Sequence, residues 1–153
     1  MSSQPTTTKY IYKIAPSNPA IPVVTSSSNN LPPNYILPVS DLDRSSGFIH
    51  MSTAAQIPGT LLHFFPTSAS ERNSVYLLRA PLSPLEDQGS VKWESPDAKI
   101  AGLREGEGMF PHIYRGEGLS LRAADVEGVV EVVSGVGEVG WEKALGRQEE
   151  WLV

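Results

Sequence analysis

The sequence contains no cysteine, which excludes a disulfide scaffold, a thiol nucleophile and any metal site built on thiolates. It also has little positive charge. With 12 Lys and Arg against 17 Asp and Glu, the net charge is −5, so the chain lacks the basic surface that DNA binding needs. No stretch approaches the roughly 18 to 20 apolar residues of a membrane span. We therefore expect neither DNA nor a membrane as a partner.

Glycine and proline are abundant instead, with 13 residues each in a chain of 153. Together they make up about 17% of the sequence, against a usual average of about 12%, which favours turns and strands over long helices. The length corresponds to one domain. The polar first residues resemble neither a secretory signal nor a transit peptide, so a cytoplasmic location is expected. The oligomeric state is left open.

The expected organisation is a disordered start at residues 1–9, a domain at residues 10–133 and an extension at residues 134–153 that contains a short helix. Within the domain, residues 16–38 are rich in proline, serine and asparagine and are predicted to form a long loop. Residues 100–107 are predicted to form a second loop. The pattern favours a small α+β domain of mainly antiparallel strands with two or three short helices.

Strands are predicted where aromatic and β-branched residues cluster. They are Tyr10–Ala15, Phe48–Met51, Val75–Ala80, Val91–Glu94, Leu119–Leu121 and the end of Ala124–Val133. Ser52 and Thr53 are predicted to cap a helix that follows them, and Pro58 and Gly59 predict a kink or restart in that helix.

The first candidate site is the sequence G-F-I-H-M-S-T, which ends a short apolar strand. It places the imidazole of His50, the hydroxyls of Ser52 and Thr53 and the ring of Phe48 at one strand-to-helix junction. Such a group suits a ligand with hydroxyl or phosphate groups. The alternative is a buried histidine bonded to backbone, followed by ordinary capping residues.

The second candidate is the sequence M-F-P-H-I-Y. In an extended segment, Phe110, His112 and Tyr114 share one face because they lie two residues apart. The imidazole of His112 and the hydroxyl of Tyr114 beside the ring of Phe110 suit a small organic ligand. The alternative is an edge segment that completes the core.

The third candidate is V-K-W-E, where Glu94 follows Trp93 at a strand end. Apolar surroundings raise the pKa of a carboxyl and fit it for acid or base catalysis. The alternative is a glutamate paired with a neighbouring Lys or Arg. No metal is expected, because His50, His63 and His112 have none of the usual ligand spacings, and His63 is assigned to the scaffold.

Taken in order, these motifs resemble the family called domain of unknown function 952. The resemblance rests on D-L-D-R-S-S-G-F-I-H-M-S-T-A-A-Q at residues 41–56, T-L-L-H-F-F at residues 60–65, Y-L-L-R-A at residues 76–80, W-E at residues 93–94 and F-P-H-I-Y at residues 110–114. It implies a fold similar to the ADP-ribosyltransferase and RNA 2′-phosphotransferase superfamily, with two antiparallel sheets splitting to form a cleft that holds NAD.

The same resemblance implies roles for individual residues. His50, Ser52 and Thr53 would line the cleft, and Glu94 would be the carboxylate that orients a hydroxyl during ADP-ribosyl transfer. This chain departs from the family pattern in its longer loop at residues 16–38 and in Arg115, which follows Tyr114 where a glycine is expected.

Three functions are compatible with the sequence. The first is a small-molecule enzyme with catalytic His50, His112 and Glu94, acting by ADP-ribosyl transfer or NAD hydrolysis. The second is a cofactor-independent acid/base catalyst, such as an isomerase, cyclase or hydrolase, acting on an apolar metabolite. The third is a non-catalytic ligand-binding or interaction module. In the first two cases the ligand-binding residues would be Ser52, Thr53, Tyr114, Phe110, Phe48 and Trp93. In the third, the same residues would simply hold the domain together.

Overall fold

Two antiparallel sheets, four short α-helices and two 3₁₀ helices make up the regular structure of the residues that the structure describes. The computed structural model describes residues 8–18, 20–22, 31–68, 70–99, 101–102, 108–115, 119–138 and 140–152. Within these residues the strands are β1 (Tyr10–Pro16), β2 (Ile49–His50), β3 (Asn73–Pro81), β4 (Val91–Glu94), β5 (Ala101–Gly102), β6 (Phe110–Ile113) and β7 (Val129–Ser134). The helices are α1 (Asp41–Ser46), α2 (Ile57–Phe64), α3 (Leu82–Asp87) and α4 (Glu142–Gly146), with 3₁₀ helices at Ala54–Gln56 and Ala123–Asp125.

The first sheet has the strand order β1, β3, β7 and lies between two hydrophobic cores. Its central strand, β3, is buried on both faces, which explains the uninterrupted apolar run from Val75 to Leu78. Ile11 and Leu78 belong to one core, whereas Ile14 and Leu77 belong to the other. The alternation of side chains across the strands thus divides the interior into two parts.

The second sheet has the order β2, β6, β4, β5 and covers the first core. Ile49 and Ile113 lie opposite each other and face that core. Because neighbouring side chains on a strand point to opposite faces, His50 and His112 lie opposite each other on the other face. The candidate site is therefore carried on this second face.

The second core lies between the first sheet and two helices. Ile57 and Leu61 of α2 pack there with Trp141 and Ala144 from the C-terminal segment. The indole N–H of Trp141 donates a hydrogen bond to the carbonyl of Phe65 at 2.8 Å and so ties the segment to the end of α2. The predicted C-terminal helix is present as α4. The extension is thus part of the folded domain.

Several predicted elements match the structure. The α+β class, the antiparallel sheets and the strands β1, β3 and β4 are confirmed. Thr53 occupies the N-cap position of the 3₁₀ helix, and α2 starts at Ile57 with Pro58 in its first turn, which is the predicted restart.

Other predictions were wrong. The described residues contain four α-helices rather than two or three, because α1 and α3 each have only six residues and leave little periodic pattern. Leu119–Leu121 is not a strand; the nearby pairing is an isolated bridge between Ile36 and Arg122, and Leu121 fills the core. Ala101–Gly102 pairs with β4 where a loop was predicted.

Some predictions concern residues that the structure does not describe. They include most of the predicted disordered start, at residues 1–7, part of the first predicted loop, at residues 23–30, and most of the second, at residues 103–107. No helix in the described part of the chain is long and apolar enough to cross a membrane.

Candidate functional site

One row of side chains crosses the second sheet and organises the site. His50 of β2 lies opposite His112 of β6, and His112 lies opposite Lys92 of β4. Directly opposite residues in an antiparallel sheet have side chains within contact distance. The two imidazole rings are accordingly 5.3 Å apart between centroids, in an edge-to-face arrangement. The two histidines that the sequence analysis singled out therefore meet.

Glu94 and His112 form the first of two carboxylate–histidine pairs. Oε1 of Glu94 lies 2.9 Å from Nδ1 of His112 and accepts a 2.5 Å hydrogen bond from the hydroxyl of Tyr114. Glu94 and His112 are both buried. These contacts are made by side chains, so Nδ1 of His112 is bonded to a carboxylate and not to backbone.

The ionisation of this group differs from the expectation drawn from the sequence. Burial alone would raise the pKa of Glu94, but hydrogen bonds from Tyr114 and His112 outweigh it and hold the pKa below its ordinary value. Burial lowers the pKa of His112 despite the neighbouring carboxylate. Burial and the bond to Glu94 raise the pKa of Tyr114 to about 12. At neutral pH, Glu94 is thus ionised while His112 and Tyr114 are neutral.

Asp43 and His50 form the second pair, which the sequence analysis missed. Oδ1 of Asp43 lies 2.7 Å from Nδ1 of His50 and also accepts the backbone N–H of His50 at 3.1 Å. Oδ2 accepts a 2.7 Å hydrogen bond from the buried ammonium of Lys13. Lys13 donates in addition to the carbonyl of His50 at 3.2 Å. Every oxygen of Asp43 is therefore engaged.

The charge on Asp43 is stabilised by these partners. Burial alone would raise the pKa of Asp43, but its bonds to His50 and Lys13 hold the pKa below its ordinary value. Burial lowers the pKa of Lys13, and Asp43 opposes that shift. The only signal in the sequence that could have located Asp43 was the segment from Ser40 to Gly47, which begins with a helix-capping serine and ends with a helix-terminating glycine. That segment builds α1 and carries Asp43 on it.

Phe48 is the ring against which the site packs. Its centroid lies 4.1 Å from that of His112, 4.4 Å from that of His50 and 5.2 Å from that of Tyr114. Phe48 is itself buried. One phenyl ring thereby holds both imidazoles in fixed orientations beside each other.

Both histidines have one ring nitrogen left over. An ionised carboxylate only accepts hydrogen bonds, so Nδ1 carries a proton in each ring, and in the neutral ring of His112 Nε2 has a lone pair. Nε2 makes no hydrogen bond within the described part of the chain. His112 is 1% exposed. Among the described residues, every side-chain nitrogen or oxygen that is completely buried has a hydrogen-bond partner, and Nε2 of His112 has none. The accessible area of His112 therefore includes Nε2.

Other predicted ligand-binding residues lie outside this cluster. Trp93 faces the first core, on the opposite side of the sheet. Ser52 is buried and its hydroxyl lies 3.3 Å from that of Thr60. Thr53 is held by Gln56, whose amide oxygen accepts its backbone N–H. Phe110 lies opposite Glu94 in the register and borders the site.

The described residues hold no group of three or more His, Asp or Glu side chains suited to a metal ion. His63, which the sequence analysis assigned to the scaffold, is exposed on α2.

The order of motifs along this chain agrees with a known family. The model of the family described as protein of unknown function (DUF952) matches residues 28–129, about two-thirds of the chain. The chain belongs to this family. His50, Glu94, His112 and Tyr114 all lie within the span matched to DUF952, whereas Lys13 and the C-terminal segment lie outside it. No curated protein matches the sequence.

Solved structures support the fold of this DUF952 member. The crystal structure of protein CC0527 from Caulobacter crescentus, a structural genomics target, aligns with a TM-score of 0.54 and 24% identity over 86% of this chain and 92% of that one. A double mutant of the same protein aligns equally well, with 23% identity. At this level of identity the likeness establishes the fold and no more.

Proposed function

We propose that this protein is a cofactor-independent acid/base enzyme acting on a small molecule, with His112 and His50 as the catalytic pair. The supporting observation is that Nδ1 of each imidazole donates a hydrogen bond to a buried, ionised carboxylate, which leaves Nε2 without a partner among the described residues. On rings 5.3 Å apart, the unprotonated Nε2 of His112 can take a proton from one atom of a substrate, while the imidazolium form of His50 gives its Nε2 proton to another atom. Isomerisation, cyclisation and hydrolysis all need that pair of transfers.

The two histidines have different surroundings, which assigns their roles. His112 is buried and its lowered pKa keeps it neutral, so it acts as the base. Its imidazolium, once formed, is stabilised by Glu94. The side chain of His50 is 24% exposed and lies 2.7 Å from the ionised Asp43, which would stabilise its imidazolium, so we assign it the role of the acid. Tyr114 holds Glu94 in place through its hydroxyl.

The experiment that tests this proposal follows conversion of small molecules without assuming a substrate. The purified protein is incubated with a metabolite extract in D₂O, and mass spectrometry detects compounds that change or gain deuterium. We expect the wild type to convert at least one compound and His112→Gln to slow that conversion by about 10²-fold or more. His63→Gln, which replaces an exposed histidine of α2, is the matched control. Full activity of His112→Gln, or no conversion by the wild type, would favour the non-catalytic binding module.

ADP-ribosyl transfer or NAD hydrolysis is the second candidate. One observation favours it: Oε1 of Glu94 accepts both hydrogen bonds, so Oε2 is left to accept a hydroxyl, and no other described residue bonds it. A carboxylate that orients a ribose hydroxyl is what an ADP-ribosyltransferase-like cleft requires. Thermal shift with millimolar NAD or ADP-ribose tests this candidate. An unchanged melting temperature with both ligands removes it.

A further inference from the structure

Lys92 is the cation at the edge of the candidate site. Lys92 is exposed. It lies opposite His112 in the strand register and on the same face of the sheet as Glu94. Its Nζ lies 4.5 Å from the centroid of the Tyr114 ring, which holds the ammonium beside the cluster. No ion pair of the described residues includes Lys92. It is therefore available to a ligand.

The other charges of the site are already used. Asp43 is saturated by His50 and Lys13, and the ammonium of Lys13 is buried against Asp43. Glu94 holds His112 and Tyr114 through Oε1. Each carboxylate thus has protein partners, and only Oε2 of Glu94 accepts no hydrogen bond from the described residues. Among the described residues, a ligand that approaches Nε2 of His112 meets a neutral imidazole with the exposed ammonium of Lys92 beside it.

We propose that the substrate of this site carries an oxyanion, a carboxylate or a phosphate, and that Lys92 binds it. This inference rests on the proposed function, because it assumes that the substrate reaches the two Nε2 atoms. An anion on Lys92 places the adjoining part of the molecule above His112, which is the next residue in the same row. Lys92 is a substrate-positioning residue that selects anionic over neutral compounds.

The test measures binding rather than turnover, so that it can fail independently of the acid/base proposal. Acetate, inorganic phosphate and the neutral isostere acetamide are titrated into the ¹⁵N-labelled wild-type protein at constant ionic strength. Backbone amides of Lys92, His112 and Tyr114 report on the site. We expect acetate, phosphate or both to shift these signals, and acetamide to leave them unchanged. The anion that binds identifies the oxyanion class.

Three variants distinguish a built site from general attraction of anions. Lys92→Met removes the charge but keeps the length of the side chain, and we expect it to weaken anion binding by about threefold or more. Lys92→Arg should retain binding, as should Lys143→Met, which removes an exposed charge on α4. Equal binding of acetate and acetamide, no shift with either anion, or wild-type binding by Lys92→Met would overturn the proposal. Loss of turnover in His112→Gln bears only on the acid/base proposal.

Discussion

At the scale of the residue, the same side-chain type acquires two different properties from its neighbours. His112 is enclosed by Phe48 and bonded to Glu94, whereas His50 is partly exposed and bonded to an aspartate that also holds a lysine. The sequence analysis brought both histidines, Glu94 and Tyr114 together as candidates. Neither Asp43 nor Lys13 was found, because a contact across 30 positions leaves no local pattern.

The buried state of His112 predicts a pH dependence of stability. Its folded pKa is lower than its unfolded value near 6.5, so the unfolded chain binds the extra proton first. Stability is therefore fully present above that value and is lost as the pH falls below it. Urea unfolding at about pH 7 and pH 5 should show a decrease in the free energy of unfolding for the wild type and a smaller one for His112→Gln.

His63→Gln is the control for this prediction, and it should keep the wild-type decrease. Asp43 and Glu94 lose their stabilising charge only at lower pH, since their folded pKa values lie below ordinary carboxyl values. Identical decreases in the wild type and His112→Gln would show that His112 does not titrate as a buried group.

At the scale of the element, a helix of six residues positions half of the site. Ser40 caps α1 by accepting the N–H of Asp43 at 3.1 Å, and Gly47 ends the helix with φ of +81°. The left-handed turn at Gly47 ends α1 and redirects the chain into β2, which brings His50 within hydrogen-bond distance of Asp43. The pattern of turn residues was visible in the sequence. The sequence did not show that these residues form a short helix, because six residues are too few to display the helical hydrophobic periodicity.

Two glycine substitutions should have opposite effects on stability. Gly47→Ala forces a side chain into the left-handed region and should lower the free energy of unfolding by about 1 kcal/mol. Gly59→Ala lies in α2 with helical backbone and open space around its Cβ, so it should raise the free energy of unfolding by about 0.5 to 1 kcal/mol. Chemical denaturation measures both. A stabilising Gly47→Ala would contradict the assigned turn.

At the scale of the whole molecule, the first sheet separates a core beneath the site from a core beneath α2 and α4. The C-terminal segment completes the second core. Trp151 packs edge-to-face against Tyr12 with 5.5 Å between ring centroids, and its carbonyl accepts a 3.0 Å hydrogen bond from Arg79. The sequence analysis treated residues 134–153 as an extension, because the family motifs end before them.

Trp141→Ala should therefore destabilise the whole domain. It removes a buried indole that fills the second core and bonds to the end of α2, and we expect a loss of about 3 to 5 kcal/mol in the free energy of unfolding. Leu62→Ala, at a position of α2 that is 76% exposed, should change it by less than about 0.5 kcal/mol. Thermal denaturation compares the two. Equal stability of the variants would mean that the segment is dispensable.

The sequence by itself determined the α+β class, the principal strands and the two motifs that carry His50 and His112. These follow from local alternation, turn residues and spacing along the chain, which are short-range properties. Only the tertiary structure decided that the two motifs meet, that Trp93 faces the core, and that Lys13, Asp43 and Lys92 belong with them. Strand register and burial set those contacts and the pKa shifts that follow, and both depend on residues far apart in the chain.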